Sequence, residues 1–288
     1  METCTDASPK SLPKHDSLTV PRQARGFYCI DLWGTPKLIA KQNTKRMSRR
    51  TTAIAAALSV LALGSPLITA CANPWANNSF KSGVDKYEQG DYQGAIADWS
   101  RAIEINPQFD FAYSNRGIAK NKLGDHQGAI ADYTKAVEIN PQYALAFFNR
   151  GNAKRILKDF QGAVSDYTKA IEINPEYANA YYNRGSTKDE QKDYQGAIAD
   201  YTKTIEINPQ YADAYFNRGS AKNDLKDYKG SIADFTKALK INPQYTNAYV
   251  NRGVSKYFLE NLTGACDDWR KAANLGDELS AEWVKEQC

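Results

Sequence analysis

The sequence predicts an all-α array of stacked helical repeats, and three observations lead to that fold class. The triplet Asn-Arg-Gly recurs every 34 residues, at Asn115, Asn149, Asn183, Asn217 and Asn251. A second phrase, Ile/Val-Glu-Ile-Asn-Pro or a close variant, recurs at the same step and ends at Pro107, Pro141, Pro175, Pro209 and Pro243. Within a unit, small and aromatic residues such as Ala163 and Tyr167 are one helical turn apart. Self-similarity at such a period is typical of stacked helical units.

Residues 1–46 precede the array and show no helical period. They hold Pro9, Pro13, Pro21 and Pro36 among scattered charges. Two interpretations stay open for this segment. It is an extension from a start codon assigned too far upstream, with Met47 the true start, or it is a disordered tail.

Residues 47–71 have the pattern of a signal peptide. Met47 is followed by a basic pair at Arg49 and Arg50, and residues 52–67 are rich in Ala and Leu. That apolar stretch is interrupted by Gly, Ser and Pro and falls short of the roughly 20 residues a spanning helix needs. A cleaved signal peptide is the favoured prediction, and a retained signal anchor is the alternative.

The end of this segment bears on membrane attachment. Ile68-Thr69-Ala70-Cys71 resembles the bacterial lipobox, which implies lipidation of Cys71 and anchoring to a membrane surface. The small residues Ala70 and Ala72 also fit an ordinary cleavage site. A lipoprotein and a soluble exported protein are therefore both compatible with the sequence.

The repeats divide the rest of the chain into six units, each numbered so that its Gly is position 8 and its Pro position 32. The units are 76–109, 110–143, 144–177, 178–211, 212–245 and 246–279. The pattern of these units resembles the tetratricopeptide repeat. Their composition, rich in Tyr, Asn and Gln, resembles that of exported and lipoprotein arrays common in cyanobacteria. The resemblance implies a right-handed superhelical solenoid of six helix-turn-helix repeats, with a capping helix at 280–288.

Several positions have a structural explanation. A glycine at position 8, such as Gly151, and a small residue at position 20, such as Ala163, are expected where the two helices of a repeat cross closely. The aromatic at position 24 is expected in the core between repeats: Trp99, Tyr133, Tyr167, Tyr201, Phe235 and Trp269.

Residues typical of helix starts and helix ends flank the second helix of each unit. An aspartate is expected to cap its start, at Asp91, Asp125, Asp159, Asp193 and Asp227. Each Asn-Pro is expected to end it, with the proline suiting the first turn of the next helix. The glycine at position 19, such as Gly162, lies in the first turn of this helix at a cost of about 0.5–1 kcal/mol relative to Ala. A steric need is suspected there.

Charges repeat as well. Position 7 is Arg in five units, position 11 is Lys in all six, and position 23 is Asp in all six, as in Arg150, Lys154 and Asp166. Positions four apart share a helix face. One hypothesis is an Arg/Lys–Asp ladder that fixes the register between helices, and the other is a set of solvated charges.

The C-terminal end departs from the pattern. Trp283 is expected to cover the apolar face of the last repeat, as end repeats require. If the protein is exported, an oxidising compartment favours a disulfide between Cys266 and Cys288. Two buried thiols are the alternative.

Composition argues against several classes of function. Residues 1–71 hold ten Lys and Arg against four Asp and Glu, whereas residues 72–288 hold 27 against 29, so the array has no basic surplus for nucleic acid. The sequence contains no metal-ligand spacing, phosphate loop or nucleophile elbow. The prediction is a protein that is not an enzyme, with no cofactor or metal and no nucleic-acid partner.

The family resemblance implies a concave groove lined by positions 2, 5, 9, 12 and 13 of the first helices. Among these positions, the residues expected to bind a partner are Phe148, Asn152, Arg155, Tyr182, Ser186, Asp189, Glu190, Phe216, Ser220, Asn223 and Asp224. The acidic members favour a basic peptide. The alternative is that all of these are ordinary exposed residues.

The functional prediction is a protein–protein interaction scaffold outside the cytoplasm, periplasmic or membrane-anchored in a bacterium. The alternative is a regulatory or targeting subunit of an enzyme complex whose active site lies in a partner. No segment outside the repeats is long enough for a catalytic domain.

Overall fold

Residues 74–288 are described by a computed structural model, and within that range the chain forms thirteen helices and no strand. These residues fall into two units, 74–217 and 218–288, which divide inside the ninth helix. The helices are α1 Pro74–Glu88, α2 Tyr92–Ile105, α3 Asp110–Lys122, α4 His126–Ile139, α5 Ala144–Ile156, α6 Phe160–Ile173, α7 Ala178–Glu190, α8 Tyr194–Ile207, α9 Ala212–Asp224, α10 Tyr228–Ile241, α11 Thr246–Phe258, α12 Leu262–Asn274 and α13 Glu278–Gln287.

Both units are built by sequential packing of neighbouring helices. In residues 74–217 each helix from α1 to α7 packs against the next, which forms four successive helix pairs. In residues 218–288 α10 packs on α11, α11 on α12 and α12 on α13. The predicted all-α repeat solenoid is confirmed in each unit.

The predicted aspartate caps are confirmed, and they explain the glycine at position 19. The backbone N–H of Gly162 donates to Asp159 Oδ1 at 2.9 Å, and the equivalent bonds recur in repeats 1, 2, 4 and 5. A Cβ on Gly162 would clash with Asp159 Oδ2. The cap carboxylate therefore occupies the space that a side chain at position 19 would need.

The Asn-Pro pairs end the second helices as predicted, but the role assigned to the proline was wrong. Helix α4 ends at Ile139, and Asn140 is its extended C-cap residue. Pro141 lies in the turn that follows, and α5 begins only at Ala144. The Asn140 side chain accepts from the backbone N–H of Gln142 at 3.1 Å, so an asparagine turn rather than a helix start contains the proline.

The aromatic residues at position 24 are core residues, as predicted. Their exposed fraction is at most 1% in all six repeats. The reason given for the glycine at position 8 needs correction, because the group facing Gly151 is a ring and not the partner backbone. A Cβ on Gly151 would lie 2.8 Å from Tyr167 Cε1, within the same repeat.

We expect Gly151→Ala to lower the free energy of unfolding by about 1–2 kcal/mol, because overpacking against Tyr167 outweighs the gain in helix propensity. Denaturant unfolding followed by circular dichroism measures this. In a double-mutant cycle, truncating the ring with Tyr167→Leu should make the added methyl group less costly. Additive costs would contradict the steric explanation.

The charge ladder is confirmed. Arg150 Nη2 lies 2.6 Å from Asp166 Oδ1, and Lys154 Nζ lies 2.8 Å from Asp166 Oδ2, so one carboxylate on α6 holds two cations of α5. The same pair of contacts recurs at Asp132, Asp200, Asp234 and Asp268. Asp166 is 2% exposed, which excludes the alternative of solvated charges.

Repeat 1 has a reduced version of this cluster. Ser82 replaces the arginine and donates to Asp98 Oδ2 at 2.5 Å, and Lys86 Nζ lies 2.8 Å from the same oxygen. Burial by itself would raise the pKa of Asp98. The hydrogen bonds from Lys86 and Ser82, with the charges of Lys86 and Arg101, outweigh it and lower that pKa.

A carboxyl with a lowered folded pKa contributes stability above its unfolded pKa of about 3.9 and loses it as the pH falls through the folded value. We therefore expect Asp98→Asn to be less stable than the parent protein above about pH 5. The difference should shrink as the pH falls below about 4. Denaturant midpoints across this range measure it, and a difference independent of pH would contradict the prediction.

The C-terminal helix closes unit 218–288. Asp277 Oδ2 accepts from the backbone N–H of Ser280 at 2.8 Å, so α13 begins at Glu278, before the predicted start at 280. Trp283 is 7% exposed and packs on Trp269 with ring centroids 5.1 Å apart, which confirms its covering role. A disulfide joins Cys266 of α12 to Cys288, with Cα atoms 5.7 Å apart.

The predicted leader lies outside the described residues, including the segment 1–46, the signal peptide 47–71 and the lipidation site Cys71. Among the helices of residues 74–288, none has the length and apolar character to span a bilayer.

Candidate partner-binding surface on the first helices

The residues predicted to bind a partner lie on the first helices α5, α7 and α9, and the structure separates them by burial. Four are buried, with exposed fractions of 3–6%: Asn152, Tyr182, Phe216 and Ser220. The others are half-buried or exposed: Phe148, Arg155, Ser186, Asp189, Glu190, Asn223 and Asp224. Little of these four side chains is exposed, and their binding of a partner stays a prediction.

Asn152 is the centre of a buried network between repeats 3 and 4. Its Oδ1 accepts from Tyr167 Oη at 2.8 Å and from Asn183 Nδ2 at 2.8 Å. Burial raises the pKa of Tyr167 above its ordinary value of about 10, so its hydroxyl keeps the proton that it donates. The network uses the Asn152 side-chain oxygen twice within the fold and connects α5, α6 and α7.

Pairs of aromatic rings form a second set of contacts on these helices. Phe148 packs on Tyr177 and Tyr182 on Tyr211, with ring centroids 4.9 Å apart in both pairs. Asn217 Nδ2 donates to Tyr182 Oη at 2.8 Å. In repeats 1, 3 and 4 the ring at position 34 therefore packs on the ring at position 5. In repeat 2 position 5 is Ser114, and Tyr143 packs on Phe111 at 5.1 Å instead.

The exposed part of the surface is charged. Arg155 Nη1 lies 2.7 Å from Glu190 Oε1, and their side chains are 25% and 40% exposed. Arg155 and Ile156 end α5, and Asp189 and Glu190 occupy the same two positions at the end of α7. This part of the candidate site brings a cation, an anion and an exposed apolar side chain together at the ends of neighbouring first helices.

In residues 218–288 one of the predicted residues is bonded to the next first helix. Asn223 Oδ1 accepts from Ser255 Oγ at 3.1 Å. Ser220 is 6% exposed, and Asp224 is half-buried at the end of α9. Binding of a partner by any of these residues stays a prediction.

Sequence reasoning missed one set of contacts between repeats. Arg150 Nη1 donates to Thr134 Oγ1 of the preceding repeat at 3.1 Å, and Arg116, Arg184 and Arg252 make the same bond at 3.0 Å. The signal was present, because a Ser or Thr stands at position 25 in the first five units. Only the geometry shows that this hydroxyl faces the arginine of the next unit.

The described residues also contain no cluster of three His, Cys, Asp or Glu side chains arranged to hold a metal ion.

Comparison with protein families identifies the repeat. A model described as TPR repeat matches residues 83–124 and 151–188, and one described as Tetratricopeptide repeat matches 111–143, 178–211 and 212–245. Together they span more than half of the chain. The chain belongs to the tetratricopeptide repeat proteins. For this repeat protein, comparison with curated proteins found no match.

Solved structures agree with the family. The crystal structure of the MamA protein is 27% identical, with a TM-score of 0.56, and the match covers 60% of this repeat protein and 94% of MamA. YrrB, described as a TPR protein with an unusual peptide-binding site, is 22% identical with a TM-score of 0.59, covering 65% and 97%. Pseudomonas aeruginosa pilF is 16% identical with a TM-score of 0.63, covering 74% and 98%. The last two show the fold alone.

Proposed function

We propose that this tetratricopeptide repeat protein is a non-enzymatic scaffold that binds a segment of a protein partner along its first helices. Tetratricopeptide repeats generally bind protein partners. The observation that carries the proposal is the exposed group formed by Arg155, Ile156 and Glu190 at the ends of α5 and α7. The same two helices carry Phe148 and Tyr182, which are held in aromatic pairs. A partner would therefore meet charged and apolar side chains on well-packed helices.

Site-specific photo-crosslinking tests this proposal. A photoreactive residue at Ile156, which is 44% exposed, should form adducts with a protein partner in the native host. The matched control is a photoreactive residue at Ser165, an exposed position of the second helix α6. Adducts specific to the Ile156 position support a first-helix binding surface, and equal yields at both positions would contradict it.

The location we propose is outside the cytoplasm, either periplasmic or anchored to a membrane through lipidated Cys71. The basic and apolar leader and the lipobox-like end support export. The Cys266–Cys288 disulfide is a second support, since disulfides form and persist in oxidising compartments.

The mature N-terminus tests the location. The chain is expressed from Met47 in a bacterial host, and the mass of the product is measured. Acylated Cys71 would establish the anchored form, and a free N-terminus at Ala72 or Asn73 the soluble exported form. A product that retains Met47 would contradict both.

A further inference from the structure

A row of four exposed side chains runs along the first helices of unit 74–217. Position 13 of the four repeats is the last residue of each first helix and is occupied by Glu88, Lys122, Ile156 and Glu190. All four are exposed, Ile156 at 44% and the Glu190 side chain at 40%. The row therefore reads anion, cation, apolar group, anion, with one residue contributed by each repeat.

The spacing of this row suits an extended chain. Packed helices lie about 8–10 Å apart, and the 2.7 Å bond from Arg155 to Glu190 shows that side chains at the ends of adjacent first helices reach one another. An extended peptide rises about 3.3 Å per residue. One repeat therefore corresponds to about three residues of an extended partner.

We propose that the partner segment is an extended peptide with a basic, an acidic, an apolar and a basic side chain at intervals of about three residues. The two basic groups pair with Glu88 and Glu190 at the ends of the row. The acidic group pairs with Lys122, and the apolar group packs on Ile156. This inference rests on the proposed function, because it assigns the chemistry of the partner on that same surface. Charge complementarity along the row sets the composition of the segment, and the distance between neighbouring first helices sets its spacing.

Glu190 can accept a partner's cation while it keeps Arg155. The same molecule shows this arrangement in its core, where the guanidinium of Arg150 bonds both oxygens of Asp166 and the ammonium of Lys154 shares one of them. A carboxylate has acceptor sites for more than one charged donor. The partner's basic group therefore need not displace Arg155.

The buried layer beside the row cannot supply the same selectivity. Asn152 is 4% exposed and already accepts two hydrogen bonds, and Tyr182 is 4% exposed and accepts one. Their polar atoms are used within the fold. Selection of the partner is left to the exposed row.

Selection from a random peptide library displayed on phage, with the full chain immobilised, tests the inference without presupposing the answer. We expect the selected peptides to carry basic, acidic, apolar and basic residues spaced by about three positions, in one chain direction or the other. Peptides that bind without this pattern, or with the wider spacing of a helix, would overturn the inference while the scaffold proposal stands. Failure to select any peptide would overturn both.

A selected peptide is then measured against two variants with the same charge change. Glu190→Lys should weaken binding about tenfold, because an attractive contact becomes a repulsive one. Glu172→Lys is the matched control, since Glu172 lies on the second helix α6 with its side chain 54% exposed and pairs with Lys169. Equal effects of the two variants would overturn the assignment of Glu190, and no effect of Glu172→Lys supports it.

Discussion

We expect Arg150→Ala to lower the free energy of unfolding by about 3 kcal/mol. Two cations neutralise the buried carboxylate of Asp166, and this substitution removes the one that makes more hydrogen bonds to it. Arg150 gives Asp166 two hydrogen bonds, from Nη2 at 2.6 Å and from Nε at 2.9 Å. In the variant Lys154 remains, with its Nζ 2.8 Å from Asp166 Oδ2. A buried carboxylate that loses its bidentate arginine still bears the cost of desolvation, and fewer hydrogen bonds offset that cost.

The same substitution removes a contact between repeats. Arg150 Nη1 donates to Thr134 in the preceding unit at 3.1 Å, and its guanidinium lies over the Phe147 ring at 5.4 Å from the centroid. In a solenoid, stability is approximately the sum of repeat terms and nearest-neighbour interface terms. Arg150 contributes to both, so its loss should affect more than one repeat.

Denaturant unfolding measures the effect, and two variants serve as controls. Lys169→Ala breaks a pair of similar length, 2.6 Å, whose side chains are 57% and 54% exposed, and it should cost less than about 0.5 kcal/mol. Arg150→Lys keeps the charge but loses the fork, so an intermediate cost is expected. If Arg150→Ala costs no more than Lys169→Ala, the ladder is not the structural element inferred from its geometry.

The ladder shows what the sequence made predictable. Position 23 is Asp in all six units, position 11 is Lys in all six and position 7 is Arg in five, and residues four apart share a helix face. Within one repeat, contacts are fixed by helix period and caps, both of which are readable from local residues. The Asp159 cap and the core position of Tyr167 were predictable for the same reason.

Contacts between repeats were harder to predict, because they depend on the angle at which one helix pair meets the next. No local period encodes that angle. The family positions suggested that Asn152 and Tyr182 face a partner, whereas both are buried and each accepts a hydrogen bond from an asparagine of the next repeat. Thr134 was missed as an acceptor of Arg150 for the same reason. The candidate site is thus narrower than predicted and shifts to the ends of the first helices.

We expect Cys288→Ser to lower the free energy of unfolding by about 3 kcal/mol, because the disulfide to Cys266 closes a loop of about that entropic value in the unfolded chain. The two cysteines are 22 residues apart in sequence. The remaining thiol at Cys266 is 4% exposed, and a buried thiol packs as a small apolar group, so the folded state should tolerate it. Denaturant unfolding under non-reducing conditions measures the difference.

Trp283→Ala separates the disulfide from the packing of α13. In the parent protein the disulfide keeps α13 near α12 even without the indole, so the truncated helix should stay attached. In the Cys288→Ser background Trp283 provides the main apolar contact of α13, with Trp269 5.1 Å away between ring centroids. We therefore expect the double variant to lose α13 by local unfolding, seen as rapid hydrogen exchange in residues 278–287. If the amides of α13 stay equally protected in the double variant and the parent, neither the disulfide nor the indole holds the cap.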